Sequence, residues 1–547
     1  MLHSPAASSP FDLFVIGGGI NGCGIARDAA GRGYRVGLAE MGDLAQATSS
    51  ASTKLFHGGL RYLEYFEFGL VSKALAERET LLVAMPHISW PMRFVLPYHR
   101  DMRFEGDTPT SKFLSFIMPW MRGRRPAWLI RLGLFLYDNL GGRRILPGTT
   151  SIDLTRDPVG RALNPKFTRA YEYSDAWVED SRLVVLNARD AEARGAHIMV
   201  GTKVVAATRE AGLWHITIQN ADGHATLTAR ALVNAGGPWV EDVIRQVTHI
   251  NSTESVRLVR GSHIVTKRLY DHDKCYFFQG TDGRIIFAIP YEQDFTLIGT
   301  TDHDHQGSPS EAVCTEEERD YLCAFASQYF ANPVTPADVV WSYSGVRPLY
   351  NDGAKSATAA TRDYVLSLNT AGDAPAAPML NVFGGKITTY RKLAEEALAK
   401  LQPFFPQVSG NWTARVPLPG GDFPYDGVAE LQAKLCHDHP FLTQAHAARL
   451  FRAYGTEAWA VLNGAKSAAD LGCDFGATLC EVELRWLIGH EYARSAADVV
   501  WRRSKLGLRL TSGQVAEIDA FIAGILKPSP AAAALAAAPE QRGPHGA

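Results

Sequence analysis

Near its start the chain has a short apolar run, residues 11–16 with Asp12 its one polar position, that stops at a glycine. A short run of this kind is the pattern of a strand buried on both faces of a parallel sheet. Residues 20–32 then carry small and apolar positions at helical spacing, and residues 34–39 form a second apolar run. The N-terminus therefore predicts a β-α-β unit. Further strands are predicted at 213–218, where apolar and polar positions alternate, and at 231–233, 284–289, 296–299 and 379–383. A helix is predicted over 389–401. Proline and glycine crowd residues 403–419 and mark a boundary. Beyond it the spacing is helical: Leu484, Leu487, Ile488 and Tyr492 share one face, as do Val515, Ile518, Ile522 and Ile525. Residues 528–547 are rich in alanine and proline and are expected to be disordered.

A chain of 547 residues exceeds what one core supports, so two or more domains are expected. Apolar residues at 46% and charged residues at 20% are ordinary for a globular protein. A net charge of −2 argues against a nucleic-acid partner. No apolar run approaches the ~18 residues needed to span a bilayer, and the polar start carries no secretory pattern. The seven cysteines are scattered without a C-x-x-C pair, so neither a disulfide framework nor a structural zinc site is expected, and a reducing cytoplasm fits.

The run Gly17-Gly18-Gly19-Ile20-Asn21-Gly22 fits G-x-G-x-x-G between a predicted strand and a predicted helix. In that setting Gly17 allows the tight turn, Gly19 lets the backbone approach a pyrophosphate, and Gly22 lets helix and strand pack closely. The free N–H groups of the helix start, at Ile20, stabilise phosphate charge. Glu40 ends the second strand, about where an acid holds ribose hydroxyls. The motif does not separate FAD from NAD. It occurs once, which disfavours a flavoprotein with a second NAD(P)H domain.

The next motifs are Ala47-Thr48-Ser49-Ser50, and Lys54-Leu55-Phe56-His57-Gly58-Gly59-Leu60-Arg61-Tyr62-Leu63-Glu64. Tyr173-Ser174-Asp175, Asn234-Ala235-Gly236-Gly237-Pro238-Trp239, Gly261-Ser262-His263 and Gly299-Thr300-Thr301-Asp302 follow. So do Tyr343-Ser344-Gly345-Val346-Arg347-Pro348-Leu349, Thr361-Arg362-Asp363-Tyr364, Gly384-Gly385-Lys386-Ile387-Thr388-Thr389-Tyr390, Asp470-Leu471-Gly472 and Trp501-Arg502-Arg503. Together they strongly resemble the aerobic FAD-dependent glycerol-3-phosphate dehydrogenases, over residues 12–510. The resemblance implies an α/β fold: a glutathione-reductase-like FAD-binding domain interleaved with a substrate domain on a mixed sheet, plus a helical C-terminal domain. The expected limits are 11–405 for the core, with FAD-binding segments 11–75, 165–245 and 340–402 and substrate or cap segments 76–164 and 246–339. The helical domain follows at 406–526 and the tail at 527–547. The resemblance further implies FAD held by Gly17, Gly19, Ile20, Gly22, Glu40, Ser49, Ser50, Lys54, His57, Gly58, Ala235, Gly236, Gly385 and Thr388, with 384–388 opening a helix aimed at the isoalloxazine.

Glycerol 3-phosphate is close to a dianion at neutral pH, so its site needs at least two cations. The motifs supply Arg61, Arg347, Arg362 and Lys386. By resemblance these bind substrate with Tyr62, and Arg347, His263 and Lys386 are the catalytic candidates. Hydride passes from C2 to the flavin, and a base with a pKa near neutrality removes the hydroxyl proton. His263 and His57 fit by motif, and Arg347 stabilising an alkoxide, with water taking the proton, is the alternative. The sequences Asp302-His303-Asp304-His305 and His437-Asp438-His439 lack metal-site spacing, so no metal is expected. Gly385-Lys386-Ile387 fails the P-loop pattern.

The resembled family delivers its electrons to a membrane quinone as peripheral enzymes. That implies a cytoplasmic protein on the inner face of the cell membrane, and a homodimer is compatible with it. Residues 113–121 are apolar and aromatic but too short to span, and are followed by Arg122, Arg124, Arg125, Trp128 and Arg131, which suits an interfacial segment. Residues 97–126 exceed the family's pattern, as a lipid-dipping segment, a flavin lid or a subunit contact. Three other readings stand beside the quinone-linked one: an oxidase that uses oxygen, a D-amino-acid-oxidase-like enzyme, and a non-catalytic flavin sensor.

Overall fold

The computed structural model describes residues 9–98, 109–117, 126–280, 284–351, 363–370, 377–406 and 409–526. The first apolar run forms strand Phe11–Ile16, with Leu13, Phe14 and Val15 buried. It pairs in parallel with Val36–Glu40 on one side and Gly223–Asn234 on the other. The sheet continues through Met379–Phe383, parallel, to Val365–Asn369, antiparallel, and ends on its other flank with His197–Val200. Strand Gly223–Asn234 is largely exposed at its start and buried at its end. Its first half pairs with Leu213–Asn220 outside the parallel core. Its second half holds the apolar stretch 231–233, between Phe11–Ile16 and Met379–Phe383. Helices Ile20–Gly31, Asp180–Ala193 and Tyr390–Leu401 pack together beside this sheet.

A second, mixed sheet runs in the order His303–Asp304, Val256–Lys267, Phe295–Gly299, Ile285–Tyr291, Cys275–Gln279, Ser89–Pro97, Arg169–Val178 and Leu55–Phe56. Val339–Tyr350 pairs with Val256–Lys267, and Thr150–Asp153 pairs with Arg169–Val178. Cys275–Gln279 lies parallel to Ser89–Pro97, and the other pairs are antiparallel. Its core is an aromatic cluster in which Phe278, Tyr276, Phe330 and Tyr329 pack with Leu322, Phe325 and Ala326 of helix Glu316–Ser327. Strands Arg169–Val178 and Val339–Tyr350, which fall mainly in the segments 165–245 and 340–402 expected to bind FAD, are members of the second sheet. Which sheet a strand joins is set by partners far along the chain, not by its own pattern.

The chain crosses repeatedly between the sheets. At one crossing Lys54, fully buried, places Nζ 2.8 Å from each carboxylate oxygen of Asp180 and donates to Ser50 O at 3.1 Å. Asp180 also accepts from Ser52 Oγ at 2.8 Å. The pair thus ties the loop before strand Leu55–Phe56 to helix Asp180–Ala193.

The chain forms two compact units, Met1–Trp459 and Ala460–Ala547. Helices Val428–Asp438 and Gln444–Tyr454 fall in the first. The second holds helices Glu481–His490 and Ser512–Leu526 and the strand pair Asp474–Gly476 and Leu479–Cys480. Leu484, Leu487, Ile518 and Ile522 are buried on the expected faces, while Ile525 is exposed. The expected tail, 527–547, lies outside the described residues.

Removing one partner of a fully buried ion pair leaves an uncompensated charge, which costs about 3–5 kcal/mol. Lys54→Met is expected to destabilise the protein by that amount in chemical denaturation. The double variant with Asp180→Asn should recover part of the loss. A double-variant loss equal to the sum of the two single losses would show that the two side chains act independently.

Candidate active site

The fingerprint turn has no room for side chains. Gly17 adopts φ +110°, and a Cβ there would lie 2.5 Å from Ala235 O. A Cβ on Gly22 would lie 2.0 Å from Gly17 O. Both contacts are far below any real Cβ separation, so glycine is required at each. Ala235 donates its N–H to Ile16 O at 2.9 Å, and Gly236 N donates to Asn234 Oδ1 at 3.2 Å. The end of strand Gly223–Asn234 is thereby held against the turn. Ser49 Oγ accepts from Ile20 N at 3.0 Å, which sets Ser49 over the start of the fingerprint helix, beside Gly19. Glu40 accepts from Gly18 N at 2.6 Å and Gly42 N at 2.8 Å, and burial raises its carboxyl above the usual range. Each of its oxygens keeps a second lone pair for a hydroxyl donor.

A second turn closes on the first. Asn21 Nδ2, in the first turn of the fingerprint helix, donates to Gly384 O at 3.0 Å. Gly385 has φ +105°, and a Cβ there would lie 2.9 Å from Asn21 Nδ2. The turn continues as Ile387–Thr389, a short tight helix, before the regular helix Tyr390–Leu401. Thr388 Oγ1 accepts from His57 N at 3.2 Å and donates to His57 O at 3.4 Å, which clamps the backbone of the 55–59 loop. Gly58 N donates to Tyr137 OH at 2.7 Å. The loop 47–51 is joined to strand Val339–Tyr350 where Thr48 Oγ1 donates to Val346 O at 2.6 Å. Ser50 Oγ donates to Ala47 O at 3.2 Å.

The expected cations take different environments. Lys386 Nζ lies 3.8 Å from the centre of the Tyr62 ring, is buried, and has no hydrogen-bond acceptor among the described residues. Arg61 and Tyr62 are half-buried in the turn Leu60–Tyr65. Arg347 Nη2 donates to Thr301 O at 3.1 Å and forms an ion pair with Asp302. The turn at Gly384 lies beside Pro348, the neighbour of Arg347, since a Cβ on Gly384 would reach to 3.5 Å from Pro348 O. Arg362 lies outside the described residues.

Two of the expected site residues are buried among partners of their own. The Lys54 side chain is paired with Asp180. His263 is only 2% exposed, bonds Thr53 Oγ1 through Nε2 at 2.9 Å, and stacks on Tyr343 with centroids 4.8 Å apart. Burial, with Lys54 and Arg347 nearby, lowers its pKa to about 3. A general base works best with a pKa near the operating pH. The His263 ring is held against Thr53 and Tyr343, and its burial makes it a weaker base than a free imidazole. Sequence reasoning missed Asn21, Tyr137 and Thr53, because nothing in their local pattern distinguishes them from packing residues.

Residues 12–391 match the FAD dependent oxidoreductase family, and residues 411–528 match the C-terminal domain of alpha-glycerophosphate oxidase. The chain belongs to the FAD-dependent oxidoreductase family. A D-erythritol 1-phosphate dehydrogenase of Brucella abortus (strain 2308) is 48% identical over 93% of this chain and 97% of its own. A glycerol-3-phosphate dehydrogenase of Pseudomonas aeruginosa is 46% identical over 95% and 97%. The aerobic glycerol-3-phosphate dehydrogenase of Escherichia coli (strain K12) is 44% identical over 93% and 97%. The crystal structure of a glycerol-3-phosphate dehydrogenase from Bacillus halodurans complexed with FAD superposes with a TM-score of 0.71 at 25% identity, covering 97% of this chain and 93% of that one.

FAD is the cofactor of this oxidoreductase, and the residues present fit it. The cleared backbone at Gly17 and Gly22, the helix start at Ile20 with Ser49 Oγ seated on it, and the Glu40 carboxylate at the strand end together form a cradle for a dinucleotide.

Because a Cβ at residue 22 collides with backbone, Gly22→Ala is expected to yield protein that is folded by circular dichroism but colourless, with FAD content reduced at least ~tenfold. Retention of full flavin absorbance would overturn the role given to the turn. A second expectation concerns acid. With a folded pKa of about 3 against ~6.5 unfolded, His263 binds its proton only in the unfolded chain over that window. Its burial therefore costs nothing above pH ~6.5 and removes up to about 1.4 kcal/mol per pH unit as pH falls towards 3. His263→Gln should flatten the fall of melting temperature between pH 7 and 5 relative to the parent. Parallel curves would exclude it.

Proposed function

We propose that this oxidoreductase oxidises the secondary hydroxyl of sn-glycerol 3-phosphate to give dihydroxyacetone phosphate and passes the electrons to a membrane quinone. The observation that carries the reading is Lys386, a buried ammonium with no hydrogen-bond acceptor among the described residues, beside the turn that meets the FAD cradle. Leaving a buried cation without a counter-charge is costly. A dianionic phosphate supplies the missing acceptors. Arg61 and Arg347 lie on the neighbouring turn and strand, and Arg347 offers a planar fork suited to phosphate oxygens. The names of the Pseudomonas and Escherichia relatives point the same way.

Bound FAD accepts the hydride from C2. The chain's own residues bind the phosphate, fix C2 and remove the hydroxyl proton. Phosphate binding by Lys386, Arg347 and Arg61 anchors one end of the substrate, so that the carbinol carbon is presented in a single orientation. With His263 buried and a weaker base, His57 is the proton acceptor in this reading. Its backbone is fixed on both sides by Thr388 Oγ1, which limits the reach of its ring.

A second reading rests on the Brucella relative, whose name specifies a four-carbon polyol phosphate. Phosphate and secondary hydroxyl are common to both substrates, so the cation set does not separate them.

The quinone partner is supported by an exposed apolar surface. Trp128, Leu132 and Phe135 line one face of helix Ala127–Asn139 and are 50%, 46% and 57% exposed. Phe116, 87% exposed, and the stacked pair Phe66 and Phe68 stand on elements that pack with this one through the turn Leu60–Tyr65. Lys112 and Arg131 are exposed on the same helices. Aromatic side chains with basic neighbours suit the headgroup boundary of an anionic bilayer. Arg122, Arg124 and Arg125 lie outside the described residues. Among the described residues no helix is long and apolar enough to cross a membrane. Docking on the inner face of the cell membrane completes the reading.

Anaerobic addition of sn-glycerol 3-phosphate is expected to bleach the flavin, glycerol to leave it unchanged, and a soluble quinone to restore it. Faster bleaching by D-erythritol 1-phosphate would select the second reading, and no bleaching by either ester would sink both. Trp128→Ser with Phe135→Ser should cut cosedimentation with anionic vesicles about tenfold while turnover with a soluble quinone is kept. Unchanged cosedimentation would remove the docking face.

A further inference from the structure

Helix Ala127–Asn139 has two faces with different tasks. Its outer face carries Trp128, Leu132 and Phe135, while Ile130, Leu134 and Tyr137 are buried on the inner one. Tyr137 is the residue that reaches the FAD loop. Its hydroxyl accepts from Gly58 N at 2.7 Å and donates to Asp175 Oδ1 at 2.7 Å. Asp175, 3% exposed on strand Arg169–Val178, also accepts from Arg78 Nη1 at 2.5 Å. Arg78, on helix Phe68–Ala84, donates to Ser174 O at 2.8 Å and lies 5.5 Å from the Tyr137 ring centre. Three elements thus converge, through three buried polar side chains, on one backbone N–H.

That N–H belongs to a loop with little room to move. A Cβ on Gly58 would lie 2.4 Å from Leu75 Cδ2 and 2.8 Å from Tyr137 Cε2. On one side of Gly58, His57 is clamped by Thr388. On the other, Gly59 with φ +74° leads into the turn that carries Arg61 and Tyr62. A buried Tyr-Asp-Arg set is a poor way to gain stability, because apolar residues of similar volume serve as well. Such a set does fix a geometry through the bonds it makes, here those of the Tyr137 hydroxyl, Asp175 Oδ1 and Arg78 Nη1, while Arg78 Nε has no partner among the described residues.

We propose that Tyr137 is a positioning residue of the reaction, which through Gly58 fixes the 57–59 loop and with it the placement of His57, Arg61 and Tyr62 against bound FAD. Asp175 and Arg78 hold the phenol in the one orientation that receives the Gly58 N–H. The inference rests on the reading of those residues as the substrate site, but its FAD arm does not.

The test is Tyr137→Phe in the full-length holoenzyme. The ring and its packing are kept, and the single hydroxyl is lost. Turnover at saturating phosphate substrate is expected to fall about tenfold or more, with KM changed much less. The apoprotein should bind FAD about tenfold more weakly. Asp175→Asn, which keeps the phenol but weakens its anchor, should give a smaller loss in both, and the double variant should not exceed Tyr137→Phe. A flavin-loaded Tyr137→Phe with turnover and FAD affinity within about twofold of the parent would overturn the proposal, as would losses that add in the double variant. Should Tyr137→Phe not fold, Asp175→Asn is read by the same two quantities, and parental values there overturn it equally. If the parent oxidises no phosphate ester, the substrate reading fails while the FAD affinities still decide the role of Tyr137.

Discussion

Three stretches far apart in sequence have to meet closely. The turn at Gly17 touches the strand end at Ala235, Gly22 packs on Gly17, and Gly385 closes on the Asn21 side chain. At Gly17 and Gly22 backbone atoms exclude a Cβ, and at Gly385 the φ of +105° favours glycine. From this contact follow the parallel order of the first sheet, the direction of the fingerprint helix, and the position of the 384–388 turn that carries Lys386. The Asn21 to Gly384 hydrogen bond then joins the start of the dinucleotide site to the turn beside the cations.

Buried charge is sorted according to task. Lys54 is matched by Asp180, Arg78 by Asp175, and Arg391 by Glu77 and Glu395, all in near-complete burial. These cations are paired with carboxylates that tie elements of the chain together. Lys386 is different, because its ammonium lies over the face of Tyr62 and has no hydrogen-bond acceptor among the described residues. Arg347 is intermediate, paired with Asp302 but about one-third exposed. The pairing state of each cation therefore separates framework from site more sharply than sequence motifs do.

Where the sequence pattern is local, it reads well. The runs at 11–16 and 379–383 are the strands found, because a short apolar run between glycines and turns has few other uses. The fingerprint, with Glu40 at the second strand end, was likewise legible, since its glycines answer to contacts within one β-α-β unit. Lys54 and His263, the latter on strand Val256–Lys267, have partners Asp180, Thr53 and Tyr343 that come from other segments, so their own motifs do not show their surroundings. Strand Arg169–Val178 reads as a strand from its own residues, but its place beside Ser89–Pro97 is decided by pairing alone. The Tyr137 hydroxyl gave no signal at all. An aromatic on the inner face of a helix is usually packing, and only its bond to Gly58 N shows otherwise.

The interleaving of the two sheets bears on how the chain is made. Strand Phe11–Ile16 leaves the ribosome early, yet one of its two neighbours is Gly223–Asn234, and the sheet beyond that waits for Met379–Phe383. The second sheet is equally divided, with Ser89–Pro97 pairing to Cys275–Gln279 and Val256–Lys267 pairing to Val339–Tyr350. Neither sheet can close until more than three-fifths of the chain exists. At synthesis rates of about 5–20 residues per second, apolar strands with open edges persist for tens of seconds. Such a topology folds slowly and relies on protection from aggregation while it waits. The same arrangement means that no cut within residues 12–391 releases a self-sufficient half.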